Sequence, residues 1–146
     1  MRKLNAMEDF RRDVGYRVLR REDESIALTA TLRDRFHDIV VEVVAEGDSL
    51  TIREARADFR ASPTPDCKDV SACLDRLVGF RIGPGLNRKL TEIFGGSTGC
   101  GNLRTLLQGL LPLALNVRAA TGIEDEEEML DKIHKQLAGT CAGYRV

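Results

Sequence analysis

From Ser25 to Arg33 the apolar residues Ile26, Leu28, Ala30 and Leu32 alternate with Ala27, Thr29, Thr31 and Arg33. This is the period of two of a half-buried strand. Asp38 to Ala45 is rich in Val and Ile, and after the turn signal Glu46-Gly47-Asp48 the alternation resumes at Leu50 and Ile52 before Ala55, Ala57 and Phe59. The pattern predicts an antiparallel hairpin. Ser62-Pro63-Thr64-Pro65 ends the sheet, because proline donates no ladder hydrogen bond and pushes its predecessor toward extended geometry. Residues 25–60 therefore read as a three-stranded β meander.

From residue 66 the spacing becomes helical. Asp66 is placed to cap a helix carrying Val70, Cys73, Leu74, Leu77 and Val78, with Gly79 as its stop. A second helix, Gly85 to Phe94, puts Leu86, Leu90, Ile93 and Phe94 on one side and ends at Gly95-Gly96. A third starts near Thr98 to Cys100 and carries Leu103, Leu106, Leu107, Leu110 and Leu111, with a kink at Pro112 before Leu113 and Leu115. The acidic run Glu124 to Glu128 precedes Met129, Leu130, Ile133 and Leu137, so it falls in the first turn of a final helix, where the macrodipole favours it. The prediction is an α+β fold in one domain over residues 1–146. A three-stranded antiparallel sheet packs against a helical half at 66–138, with a basic, partly ordered arm at 1–24. The tail at 139–146 reads as a short edge strand from Cys141 to Val146.

Composition narrows the function classes without naming one. The chain has 146 residues, 42% hydrophobic and 31% charged, with a net charge of -1. That describes an ordinary globular protein and gives no ground for general nucleic-acid binding. The most apolar stretch, Leu106 to Val117, is broken by Gln108, Gly109 and Pro112 and is too short to span a bilayer. With no apolar block near the N-terminus to act as a secretory leader, a cytoplasmic location is expected. Residues 2–21 hold seven cations against three acids. They read as a solvated arm or as a surface that docks an anion or a partner.

Acid–base chemistry has two candidate histidines, His37 and His134, and both sit where a structural role is expected. The glycines from Gly79 to Gly85 match no phosphate-binding fingerprint and read as connectors. Gly95-Gly96-Ser97-Thr98-Gly99 is a flexible entry to a helix and a weak anion-binding signal. The four cysteines say more. In a reducing compartment they serve as core residues, metal ligands or nucleophiles. Cys67 and Cys100 fall at predicted helix starts, which favour thiolate. In an α-helix Cys73 is turned about 240° from Cys67, toward the apolar face, and reads as core. No close pair has zinc-finger spacing, so a metal site would draw on distant segments.

The blocks YRVLRRED (Tyr16 to Asp23), LRD (Leu32 to Asp34), His37, DSLTIREARA, Pro63, Cys67, LVGFRIGPGLNRKLTEIFGGSTGCGNL and LAGTCAGY resemble, in this order, the bacterial family known as domain of unknown function 2889. In that family the third-helix motif reads Gly-Cys-Thr-His-Leu and the tail Thr-Cys-His. Asn102 and Ala142 stand here in place of those histidines. The resemblance implies a Cys/His site of which this chain keeps Cys67, Cys100 and Cys141. A second resemblance, of architecture, is to the scaffold proteins of iron–sulfur assembly, where cysteines at these two helix starts belong to the cluster or zinc site. The chain lacks their hairpin cysteine and has Gly99 where their histidine precedes the last cysteine.

Three readings follow. The first is an accessory protein holding zinc, an iron–sulfur cluster or a sulfur species through Cys67 and Cys100, with Cys141 as a third ligand. The second is a structural or interaction protein, a homodimer included, whose cysteines are buried. The third is an enzyme with Cys100 as nucleophile and His37 or His134 as base.

Overall fold

The computed structural model describes residues 1–145. It contains one antiparallel sheet of four strands in sequential order: β1 (Asp13–Arg20), β2 (Ile26–Arg33), β3 (Asp38–Ala45) and β4 (Ile52–Ala61). The α+β class is as expected. The sheet, however, has one strand more than the three predicted, because part of the basic arm is β1. Val14, Tyr16, Val18 and Arg20 pair with Leu32, Ala30, Leu28 and Ile26. They lie on the face that packs on the helices, while Arg17 lies on the other. An edge strand with charge on its outer face needs little apolar residue to be stable, so its alternation is hidden among arginines.

Ile26, Leu28, Ala30 and Leu32 of β2 and Ile39, Val41 and Val43 of β3 are buried on the inner face. The β3–β4 turn sends Leu50 into this core at φ 58, fully buried. There its carbonyl accepts the Ile82 N–H at 3.0 Å. A left-handed conformation is costly for a branched residue, and it is held here by burial and by that bond.

After the prolines, Pro65–Leu77 is a 3₁₀ helix, not the α-helix predicted. Thr64 is its N-cap and Pro65 its first residue, so the cap is two residues ahead of Asp66. Val70, Leu74 and Leu77 are buried. The helices α1 (Leu86–Phe94), α2 (Gly101–Leu110) and α3 (Leu113–Ala120) follow. Pro112 separates the last two rather than kinking one helix. In α4 (Glu126–Gln136) the Asp125 side chain accepts the Glu128 N–H at 3.0 Å, and Glu126, Glu127 and Glu128 fill the first turn. That places the acidic run as predicted. No residue of α4 is buried, and the helix rests on α3. Among the described residues no helix is long and apolar enough to cross a membrane.

The tail is not an edge strand. Ala142–Tyr144 forms a 3₁₀ turn, closed by the Tyr144 N–H on the Cys141 carbonyl at 3.0 Å. The Tyr144 ring meets His134 edge-on at 5.3 Å, which draws the chain back along α4. Val146 lies outside the described residues.

The packing of the sheet on α2 carries one prediction. A Cβ at Gly109 would meet the end of the Tyr16 side chain, and Tyr16 is 43% exposed, so its ring can swing outward. The loss of that contact opposes the gain of about 1 kcal/mol from replacing a mid-helix glycine by alanine. Gly109→Ala is therefore expected to change stability by less than about 1 kcal/mol while shifting the Tyr16 ring resonances. Chemical denaturation and NMR of the aromatic side chains check both.

Candidate functional site

The β2–β3 turn is built on Asp34. Its Oδ1 accepts the N–H groups of Phe36 and His37, each at 2.8 Å, the local closure that short acidic side chains favour in turns. The same carboxylate accepts His37 Nδ1 at 2.9 Å and, through Oδ2, Arg12 Nε at 2.9 Å. The side chain of Asp34 is 0% exposed and that of His37 14%. Burial works against the charge on Asp34, but His37, the Phe36 N–H and Arg12 together outweigh it. The carboxyl is held below its usual range.

The remaining arms of Arg12 and His37 converge on the first turn of α2. Arg12 Nη1 donates to Asn102 Oδ1 at 3.0 Å, and Asn102 Nδ2 stands 3.3 Å from His37 Nε2. Arg12, Asp34, His37 and Asn102 thus form a closed polar ring linking the segment ahead of β1, the β2–β3 turn and α2. Beside it Phe10 and Phe36 stack with centroids 6.2 Å apart, and the Arg12 guanidinium lies over the Phe10 ring at 5.9 Å.

Two positions from Asn102, Cys100 is the N-cap residue of α2 and makes no side-chain cap bond. It is free, partly exposed and packed along the core. The turn before it is tight: the Gly95 N–H bonds the Thr91 carbonyl at 2.9 Å and the Gly99 N–H bonds the Gly96 carbonyl at 3.3 Å. Two of the N–H groups of the glycine-rich entry are thereby committed to main-chain carbonyls, one in α1 and one in the entry itself. The Cys73 S–H points at the Thr98 carbonyl at 3.8 Å, so Cys73 stands against the same turn from the 3₁₀ helix. Cys67 contacts Thr64 Oγ1 at 3.4 Å.

The 3₁₀ geometry revises the relation between the two cysteines of that helix. With three residues per turn Cys73 returns to the same side as Cys67, about 12 Å further along the axis, instead of facing away from it. Cys73 does pack partly against the core. The fold sets Cys100 at the end of the α1–α2 turn and Cys73 against that turn at Thr98, and places Cys67 near the start of the 3₁₀ helix. Cys141 is exposed on the tail beyond α4. Among the described residues no group of three or more His, Cys, Asp or Glu side chains is gathered that would hold a metal ion.

Sequence reasoning placed His37 as a structural residue or, in the enzyme reading, as a base for Cys100, and did not join it to Arg12, Asp34 and Asn102. The signal available was Asp-x-x-His between two strands, the pattern of a side-chain-closed turn. Arg12 and Asn102 lie 22 and 65 positions from their partners in that turn, beyond any local pattern. His134, on α4, takes no part in the ring.

A family model described as protein of unknown function (DUF2889) matches residues 10–116. The match covers the polar ring, Cys67, Cys73 and Cys100, and leaves α4 and Cys141 outside. No curated protein and no solved structure matches the chain.

Proposed function

The chain belongs to the DUF2889 family, and from that premise we propose that it is a non-enzymatic accessory protein that takes a soft ligand on thiols flanking the α1–α2 turn. The ligand class is zinc, an iron–sulfur cluster or a sulfur species. Cys100 and Cys73 are the first contacts, and a partner protein or a second copy completes the coordination. Cys67, near the start of the 3₁₀ helix, stands apart from this pair.

The observation that carries this reading is exposure. Cysteine is among the residues most often fully buried, yet Cys67, Cys73 and Cys100 are all partly exposed, Cys141 is exposed, and all four are free. A structural protein with sealed core cysteines fits this poorly. A Cys100 nucleophile would need a base, and the imidazole of His37 is directed to Asn102.

Elemental analysis and an ultraviolet-visible spectrum of protein purified without oxygen test the proposal. We expect about one equivalent of zinc or iron per two chains or per complex, lost in Cys100→Ser and reduced in Cys73→Ser. The thiols of the folded metal-free chain should react with a thiol reagent before unfolding. Metal-free protein whose thiols stay silent until denaturation would favour the structural reading instead.

A further inference from the structure

The polar ring contains a constraint on its own protonation. Arginine donates only, so Arg12 at 3.0 Å fixes Asn102 Oδ1 as an acceptor and turns the amide NH₂ toward His37 Nε2. Nε2 must then be a lone pair. The proton of the neutral imidazole sits on Nδ1, where Asp34 accepts it. With His37 neutral, every bond of the ring runs from a donor to an acceptor.

A protonated imidazole carries N–H on both nitrogens. Its Nε2–H then faces the amide NH₂ of Asn102, donor against donor. Turning the amide over satisfies His37 but points NH₂ at Arg12. In either orientation one of the two bonds to α2 is lost. The bonds of Asp34 to His37 and to the turn backbone survive, strengthened by the added charge. The charged and polar groups around the imidazole are Asp34 in its own turn, Arg12 from the segment ahead of β1 and Asn102 from α2. Asp38, next in the chain, is paired with Arg33 across the β2–β3 ladder at 3.5 Å. Asp34 is the carboxylate between His37 and Arg12, so protonation sets two cations around one anion.

We propose that His37 is a proton-sensitive latch between the β2–β3 turn and the first turn of α2, closed when neutral and released when protonated. The sheet and its turn keep their bonds in both states. What changes is the fastening of the α2 N-terminus, the element capped by Cys100, so acidification loosens the turn that carries this thiol. The latch does not depend on the thiols holding a ligand, and it is tested on the intact, metal-free chain.

Nitrogen-15 NMR of the imidazole at pH 8 is expected to show His37 protonated on Nδ1 and bare on Nε2. Hydrogen-exchange protection of the amides from Arg104 to Leu107, corrected for intrinsic rates, is expected to fall about two- to tenfold between pH 8 and pH 5, the range for one lost hydrogen bond. His37→Gln should remove that step. In Asn102→Asp both carboxylate oxygens accept, so the ring is satisfied by protonated His37 and protection should rise toward low pH. An Nε2–H tautomer at pH 8, a step unchanged in His37→Gln, or the same falling step in Asn102→Asp would each overturn the latch.

Discussion

Gly99→Ala is expected to destabilise the protein by about 2–4 kcal/mol, the upper range for overpacking where nothing can yield. A Cβ at this position would overlap the carbonyl and α-carbon of Phe94, and Phe94 is a buried core residue closing α1. The contrast with Gly109 is the informative part. There the obstacle is the free end of a tyrosine, whereas at Gly99 it is main chain anchored in the core, so relief requires moving either the end of α1 or the start of α2. Because Cys100 follows directly, the variant should also react faster with a thiol reagent at Cys100. Denaturant titration and reagent kinetics read the two effects separately, and a Gly99→Ala protein as stable as Gly109→Ala would contradict this account of the turn.

Asp34→Ala is expected to cost about 3 kcal/mol, since removing one side of a buried charged cluster strands its partners. The stranded groups are the N–H of Phe36, the N–H and Nδ1–H of His37 and Nε of Arg12. The pH dependence has a defined sign. The unfolded carboxyl binds its proton near about 3.9, and the folded one does so only at lower pH. The stabilisation is therefore present above about pH 4 and is lost as the pH falls through the lowered folded value. Asp23 shares this window. Its carboxyl is brought down to about 2 by the Ser25 hydroxyl, the Ser25 N–H and Arg53. Asp34→Asn should flatten the acid limb of the stability curve without abolishing it, and urea melts at pH 7, 4 and 3 would show this. An unchanged limb would mean that Asp34 contributes nothing through its charge.

Three of the four strands were legible: β2 by its alternation from Ile26 to Leu32, β3 by its run of Val and Ile, and β4 by the spacing of Ala55, Ala57 and Phe59. β1 was not, since Arg17 and Arg20 share its eight residues with Val14, Tyr16 and Val18. Helical spacing located the stretch from Pro65 to Leu77 but did not distinguish its type. The four-residue step from Val70 to Leu74 suits an α-helix, whereas in a 3₁₀ helix side chains three apart eclipse, and reading the α period misplaced Cys73 relative to Cys67. The stop at Gly79 was legible, and it follows the first helix at φ 90, whereas the N-caps were not: Thr64 takes the place expected of Asp66, and Asp125, expected within the first turn of α4, stands as its cap. Pro112 marked a discontinuity, though not two separate helices. The cysteines drew attention by residue type alone, whereas the ring depends on which donor meets which acceptor across three segments. Arginine, aspartate and asparagine are too common on surfaces for their mere presence to announce such a meeting.

The span of the ring also bears on the order in which the molecule assembles. Each strand of the sheet pairs with its neighbour in sequence, so the meander can zip up through short loop closures. Arg12 and Asn102 are separated by 90 positions, and their meeting requires both the sheet and the seating of α2 upon it. That link is therefore the part of the ring expected to be fastened last, after the local bonds of Asp34 to its own turn. A mutation at Arg12 or Asn102 should speed unfolding while leaving the rate of folding almost untouched, which makes this long-range link a determinant of how long the finished protein lasts rather than of how quickly it is made.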